Sequence, residues 1–242
     1  MATIVQQAYT DFAALRLNGT NQDAWKRNPS FKDASVGTFA MWVRFPVVIT
    51  GNGQIAIRTL GNAGATDYMW FNLRSSNAFD KPVNVIETLR SFGGAIKQKC
   101  GSTTLAASAW YFVGGDSDGD LWVNGAKETP KYWRNTGERN PGYYNTLPGT
   151  TKDLSYGTTR YNGIIGGYHR VDVNDSYEFN AVLTSTEWAY MYSRGMGSDP
   201  NTWTPSGLTG KIINCIDFEN RATPFIGSDG LTLTNSPSYI TP

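Results

Sequence analysis

Apolar and polar side chains alternate at a period of two through most of the chain, so it folds mainly as strands with two distinct faces. In Phe39-Ala40-Met41-Trp42-Val43-Arg44-Phe45, one face carries Phe39, Met41, Val43 and Phe45, and the other carries Ala40, Trp42 and Arg44. Tyr68-Met69-Trp70-Phe71-Asn72-Leu73-Arg74 repeats the pattern, with Met69, Phe71 and Leu73 on the expected core face. Leu15 and Leu17 flank Arg16 and run into the turn pair Asn18-Gly19. Trp110-Tyr111-Phe112-Val113 and Leu121-Trp122-Val123 flank a Gly- and Asp-rich spacer, which predicts a hairpin. Ile212, Asn214, Ile216 and Phe218 share one parity of a late strand, and Leu231 and Leu233 mark a short final one. A single segment changes period. Thr184 and Glu187 have capping-box spacing, Trp188, Met191 and Tyr192 follow at helical spacing, and Gly195 is a natural stop, which predicts a short helix near 184–194.

Composition narrows the function. The 242 residues carry 21 Lys and Arg against 20 Asp and Glu, a formal net charge of +1, which lacks the basic excess of a general nucleic-acid binder. With 13% aromatic residues at that charge, the chain has what it needs to collapse into a core. Met1-Ala2-Thr3-Ile4-Val5-Gln6-Gln7 has neither the basic nor the apolar region of a secretory signal, and no run suits a membrane helix. Cys100 and Cys215 are the only cysteines, too few for a secreted disulfide framework. No linker or repeat divides the chain, so residues 1–242 read as one domain, with an N-terminal arm over 1–11. Residues 126–163 show no period and read as one long insertion loop, the kind of segment that carries function.

Several residues are candidates for chemistry. Tyr132, Trp133, Arg134, Tyr143, Tyr144, Arg160 and Tyr161 form an aromatic and Arg-rich set suited to stacking on sugar rings or to a protein interface. Asp116, Asp118 and Asp120 suit calcium, since a hard cation takes several carboxylate oxygens, and they equally suit a tight hairpin turn. Glycoside hydrolysis needs two flanking carboxylates, and the nearest approach is Asp217-Phe218-Glu219, a pair of one parity. His169, the sole histidine, has no nucleophile signature beside it. The expectation is therefore a chain that is not an enzyme and needs no cofactor, unless calcium is bound.

The order of these segments resembles the laminin G-like domains of the concanavalin A-like lectin and glucanase group. Ala14-Leu15-Arg16-Leu17-Asn18-Gly19 followed by Gly37-Thr38-Phe39-Ala40-Met41-Trp42 looks like their opening strands. Ala109-Trp110-Tyr111-Phe112-Val113 with Leu121-Trp122-Val123-Asn124-Gly125 is similar to their central hairpin, and Phe179-Asn180-Ala181-Val182-Leu183 to the lead into their helix. The resemblance spans about residues 12–195. It implies an all-β, two-sheet antiparallel jelly-roll sandwich with one short helix. It also implies a choice of roles, because this fold hosts binding modules, enzymes and structural parts alike. Laminin G-like domains often hold calcium at a sheet rim, and they decorate bacteriophage capsids and tails. The leading expectation is thus a non-catalytic virion surface protein, a capsid decoration or a tail or fibre component. It would dock on other virion subunits or on copies of itself through residues 1–11, and would contact no nucleic acid and enter no membrane. The alternative is a lectin-like module gripping a cell-surface polysaccharide, and a weaker one a polysaccharide-degrading enzyme.

Overall fold

A computed structural model describes residues 14–46, 53–65, 67–74, 84–93, 95–130, 147–162, 164–204, 207–216 and 229–240, residues 218 and 227, and the backbone of 132–134. The strands, numbered in chain order, form two large antiparallel sheets and a small hairpin. The helix-side sheet runs β10 (Ala126–Lys127), β9 (Leu121–Val123), β8 (Trp110–Asp116), β3 (Thr38–Arg44), β15 (Arg170–Phe179), β1 (Ala14–Asn18) and β18 (Ser238–Ile240), with β16 (Ile212–Ile216) also paired to β15. The front sheet runs β11 (Tyr132–Arg134), β7 (Ala95–Cys100), β6 (Val85–Phe92), β5 (Tyr68–Arg74), β4 (Gln54–Asn62), β12 (Lys152–Tyr156), β2 (Asp23–Arg27) and β17 (Thr232–Thr234). The third unit pairs β13 (Thr158–Tyr161) with β14 (Ile164–Tyr168). The chain is an all-β jelly-roll sandwich with one α-helix among the described residues, α1 (Ser185–Arg194).

Alternation along each strand accounts for the layers. Leu15, Leu17, Met41, Val43, Val171 and Val173 of the helix-side sheet meet Ile55, Leu60, Phe71, Leu73, Ile86 and Leu154 of the front sheet in one buried core. Around the helix, the opposite parity of the helix-side sheet is covered rather than wet. Ala40, Trp42, Phe112, Trp122 and Tyr177 lie in a second core under Trp188 and Met191 of α1 and under Trp203 and Leu208. Trp122 and Trp188 stack at 5.1 Å. The helix begins as the sequence predicts, since Thr184 and Glu187 form a capping box and Gly195 ends it.

Two expectations need correction. Residues 126–163 are not one loop, because they contain β10, β11, β12 and β13, and β12 sits between β4 and β2 inside the front sheet. Asp153-Leu154-Ser155-Tyr156 does alternate polar and apolar, but over only five residues among turn-forming neighbours, and both faces of the strand are buried in the fold. The single parity read for the late strand also fails. A bulge between Glu178 and Phe179 pairs Glu178 with Asn214 and Phe179 with Ile212, skipping Ile213. Ile216 therefore joins the inter-sheet core, while Ile212 and Cys215 join the helix-side core. Cys100 and Cys215 form no disulfide. The N-terminal arm over 1–11 lies outside the described residues.

Candidate saccharide-binding face

The face of the front sheet that turns away from the core is where aromatic and polar side chains gather. Phe71 and Leu73 point inward, so Tyr68, Trp70, Asn72 and Arg74 point out. The hairpin of β13 and β14 folds back over this face. Gly61 of β4 makes room for it: a Cβ there would lie 1.7 Å from the Arg160 carbonyl oxygen and 2.9 Å from the Tyr161 Cβ.

That approach builds a half-buried ledge. Tyr161 lies 5.0 Å from Tyr68, which stacks on Trp70 at 4.3 Å. Beside it the Arg160 guanidinium covers the Trp25 ring at 4.3 Å and its Nε donates to Asp23 Oδ2 at 2.5 Å. Arg27 flanks the same indole at 5.8 Å and donates from Nε to Asp153 Oδ1 at 3.0 Å. Burial pushes the Tyr68 phenol above its usual range, a hydrogen bond with Ser91 opposes the shift, and Tyr161 adds to it.

The floor beside the ledge is polar and buried. Glu87 of β6 is a hub: Oε1 accepts from Gln54 Nε2 at 3.0 Å, and Oε2 accepts from Arg74 Nη1 at 2.6 Å, from Gln98 and from the Cys100 thiol. Next to it, Asn72 pairs across the strands with Ala56 and Glu87, and Trp70 with Thr59 and Leu89. The Asn72 Oδ1 and Nδ2, the Thr59 Oγ1 and the Trp70 Nε1 are all buried without a hydrogen-bond partner. Such atoms are costly to leave unpaired, and neighbouring ones call for water or ligand groups to meet them. An amide offers an acceptor and two donors, a hydroxyl one donor and two acceptors, and an indole a donor. Sugar hydroxyls, which both donate and accept, match that set, and the aromatic ledge supplies stacking surface.

The structure redistributes the residues singled out in the sequence. Arg160 and Tyr161 are on the ledge. Tyr132, Trp133 and Arg134 form edge strand β11 of the same sheet, opposite Cys100, Lys99 and Gln98. Tyr143, Tyr144, Asp217 and Glu219 lie outside the described residues. The sequence reading missed Trp25, Thr59, Tyr68, Trp70 and Asn72. The signal for three of them was available, because fixing Met69, Phe71 and Leu73 as core already assigned Tyr68, Trp70 and Asn72 to the opposite face.

Of the three aspartates considered for calcium, Asp116 and Asp120 are engaged by other groups. Asp116 Oδ1 accepts from the backbone nitrogens of Asp118 and Asp120 at 3.1 and 2.9 Å, and its Oδ2 accepts from Trp122 Nε1 at 3.0 Å. Asp120 faces the ammonium groups of Lys99 and Lys127 at 3.2 and 2.5 Å. These carboxylates close a hairpin and neutralise lysines, and among the described residues no three acidic, His or Cys side chains converge on a metal. Burial pushes the His169 imidazole below its usual pKa, and its backbone nitrogen donates to Gly157 O at 2.7 Å.

The sequence matches no family model and no curated protein. Solved structures do resemble the fold. A "putative carbohydrate binding protein" from Bacteroides ovatus superposes with a TM-score of 0.57 at 13% identity, over 95% of this chain. The chain spans 59% of that protein's length. The CBM40 of the Ruminococcus gnavus IT-sialidase gives a TM-score of 0.51 at 12% identity, covering 75% of this chain and 96% of that one. A K499G mutant of the NanB sialidase from Streptococcus pneumoniae gives 0.53 at 15% identity, over 73% of this chain and 27% of that one. At these identities the likeness concerns the sandwich fold, and none of these three is a virion protein. No helix among the described residues is long and apolar enough to cross a membrane.

Proposed function

We propose that the chain is a non-catalytic carbohydrate-binding domain that holds a glycan on the outward face of its front sheet. The observation that carries this reading is the group of unpartnered buried atoms on Thr59, Trp70 and Asn72 beside the ledge of Tyr68, Trp70 and Tyr161. Aromatic faces with a few convergent polar groups are the usual make-up of a small-ligand site. The likeness to a sialidase CBM40, also solved bound to α2,3-sialyllactose, supports the reading at the level of fold. Two of the carboxylates on this face, Glu87 and Asp153, favour binding over catalysis. Glu87 is saturated by donors and Asp153 is held by both forks of Arg27, so neither is poised as a free acid or base. This lectin-like reading replaces the virion role as the leading one, because the site has features a ligand would use and no observation speaks for capsid or tail docking.

A glycan array probed with the wild-type chain and with Trp70→Ala and Tyr161→Ala tests the proposal. Selective binding that both variants lose supports it. Binding that survives both places the glycan elsewhere and overturns it.

A further inference from the structure

The helix-side sheet carries a second feature that the front face does not use. Leu15, Val43, Val171 and Val173 turn into the core, so Arg16 of β1, Asp172 of β15 and Arg44 of β3 form a row on the opposite face. Asp172 is fully buried, and its two oxygens accept Arg16 Nε at 2.8 Å, Arg16 Nη2 at 3.0 Å and Arg44 Nε at 2.8 Å. Arg44 thus meets the carboxylate through Nε alone. Its guanidinium lies over the Trp110 ring at 4.9 Å, and its two terminal amino groups have no partner among the described residues. The Trp110 Nε1 is likewise buried without an acceptor. The row stays reachable, since the side chains of Arg16 and Arg44 are 32% and 17% exposed. Arg170, two residues before Asp172 on the same face, is exposed, so among the described residues the patch holds three guanidinium groups against one carboxylate.

We infer that Arg44 on Trp110 is a preformed receptor for a planar carboxylate, a second ligand site separate from the glycan face. A guanidinium fork matches a carboxylate with two parallel hydrogen bonds. Here the fork is fixed before any ligand arrives, because Asp172 holds Nε and the indole supports the plane. Little side-chain freedom is then lost on binding. The surplus positive charge of the row draws in an anion, and the indole offers an apolar wall and a buried donor. Free organic acids and uronate sugars share the carboxylate that fits.

The test uses the whole chain, labelled with nitrogen-15, titrated at constant ionic strength with acetate, with galacturonate and with sulfate. Acetate and galacturonate are expected to move the Arg44 Nε–H and Trp110 Nε1–H signals saturably. Tighter galacturonate binding assigns the site to uronates, and equal binding to small organic acids. The variant Arg44→Lys keeps a cation beside Asp172 but removes the fork, and is expected to weaken carboxylate binding by about tenfold. The wild-type titration stands even if that variant folds poorly. No saturable shift with either carboxylate, equal saturation by sulfate, or unchanged affinity in a folded Arg44→Lys would overturn the inference.

Discussion

Arg58 of β4 and Glu178 of β15 form an ion pair across the gap between the two sheets, with both side chains almost fully buried. The Arg58 guanidinium also covers the Phe39 ring at 4.6 Å. Nearby, the Tyr156 hydroxyl meets Ser176 Oγ at 2.7 Å, and burial raises its phenol to about 12. The sandwich is thus joined by charge as well as by apolar packing. Arg58→Ala removes the counter-charge facing the buried Glu178 carboxylate, which is expected to cost about 3–5 kcal/mol in urea unfolding. Replacing both partners together, as Arg58→Met with Glu178→Leu, is expected to cost markedly less. Equal losses for the single and the double change would contradict a pair whose value lies in compensation.

Gly61 sets the position of the β13–β14 hairpin. Gly61→Ala places a methyl group against the Arg160 carbonyl and is expected to lift the hairpin at a cost of roughly 1–3 kcal/mol. Amide hydrogen exchange over residues 158–168 should accelerate, while exchange in β3 and β15 stays slow. Uniform acceleration across both sheets would contradict this local effect.

How much of this was legible in the sequence follows from which faces are wet. The faces of β3 and β5, the β8–β9 hairpin and the capped helix could all be read, because each rests on local spacing. β12 was missed because its alternation, Asp153-Leu154-Ser155-Tyr156, is short and set among Gly, Pro, Asn and Thr. The parity of β16 was lost to a bulge created by its partner strand. Arg160 and Tyr161 were chosen for their residue types, but their neighbours Tyr68 and Trp25 come from strands far away in the chain. Only the fold brings these together.

The start of α1 gives a pH dependence. Burial pushes the Glu187 carboxyl up, but hydrogen bonds from Lys211 and from the Thr184 backbone and hydroxyl outweigh it, so its pKa falls below the ordinary 4.5. The folded state then holds its proton less tightly than the unfolded state. The contribution to stability is complete above about pH 4.5 and is lost as pH falls toward the folded value. Glu187→Gln is expected to flatten that acid limb, and Thr184→Ala to cost about 1 kcal/mol near neutral pH. An acid limb unchanged in Glu187→Gln would show that another group governs it.

The Asp116 turn separates a hairpin from a metal site. Asp116→Ala orphans two backbone donors and the Trp122 indole and is expected to cost about 2–3 kcal/mol, whereas Asp118→Ala is expected to stay within roughly 0.5 kcal/mol. Calcium and chelator are both expected to leave thermal unfolding of the wild type unchanged. A rise in melting temperature with calcium that vanishes in Asp116→Ala would restore the metal reading.

The central claim is tested most directly by nuclear magnetic resonance of the labelled chain, titrated with a pool of bacterial and animal oligosaccharides. The account predicts that the Asn72 side-chain amide and the Trp70 indole Nε1–H shift early and saturably, because these groups gain the partners the fold denies them. Oligosaccharide-induced shifts confined to other parts of the chain, or no shifts at all, would contradict it.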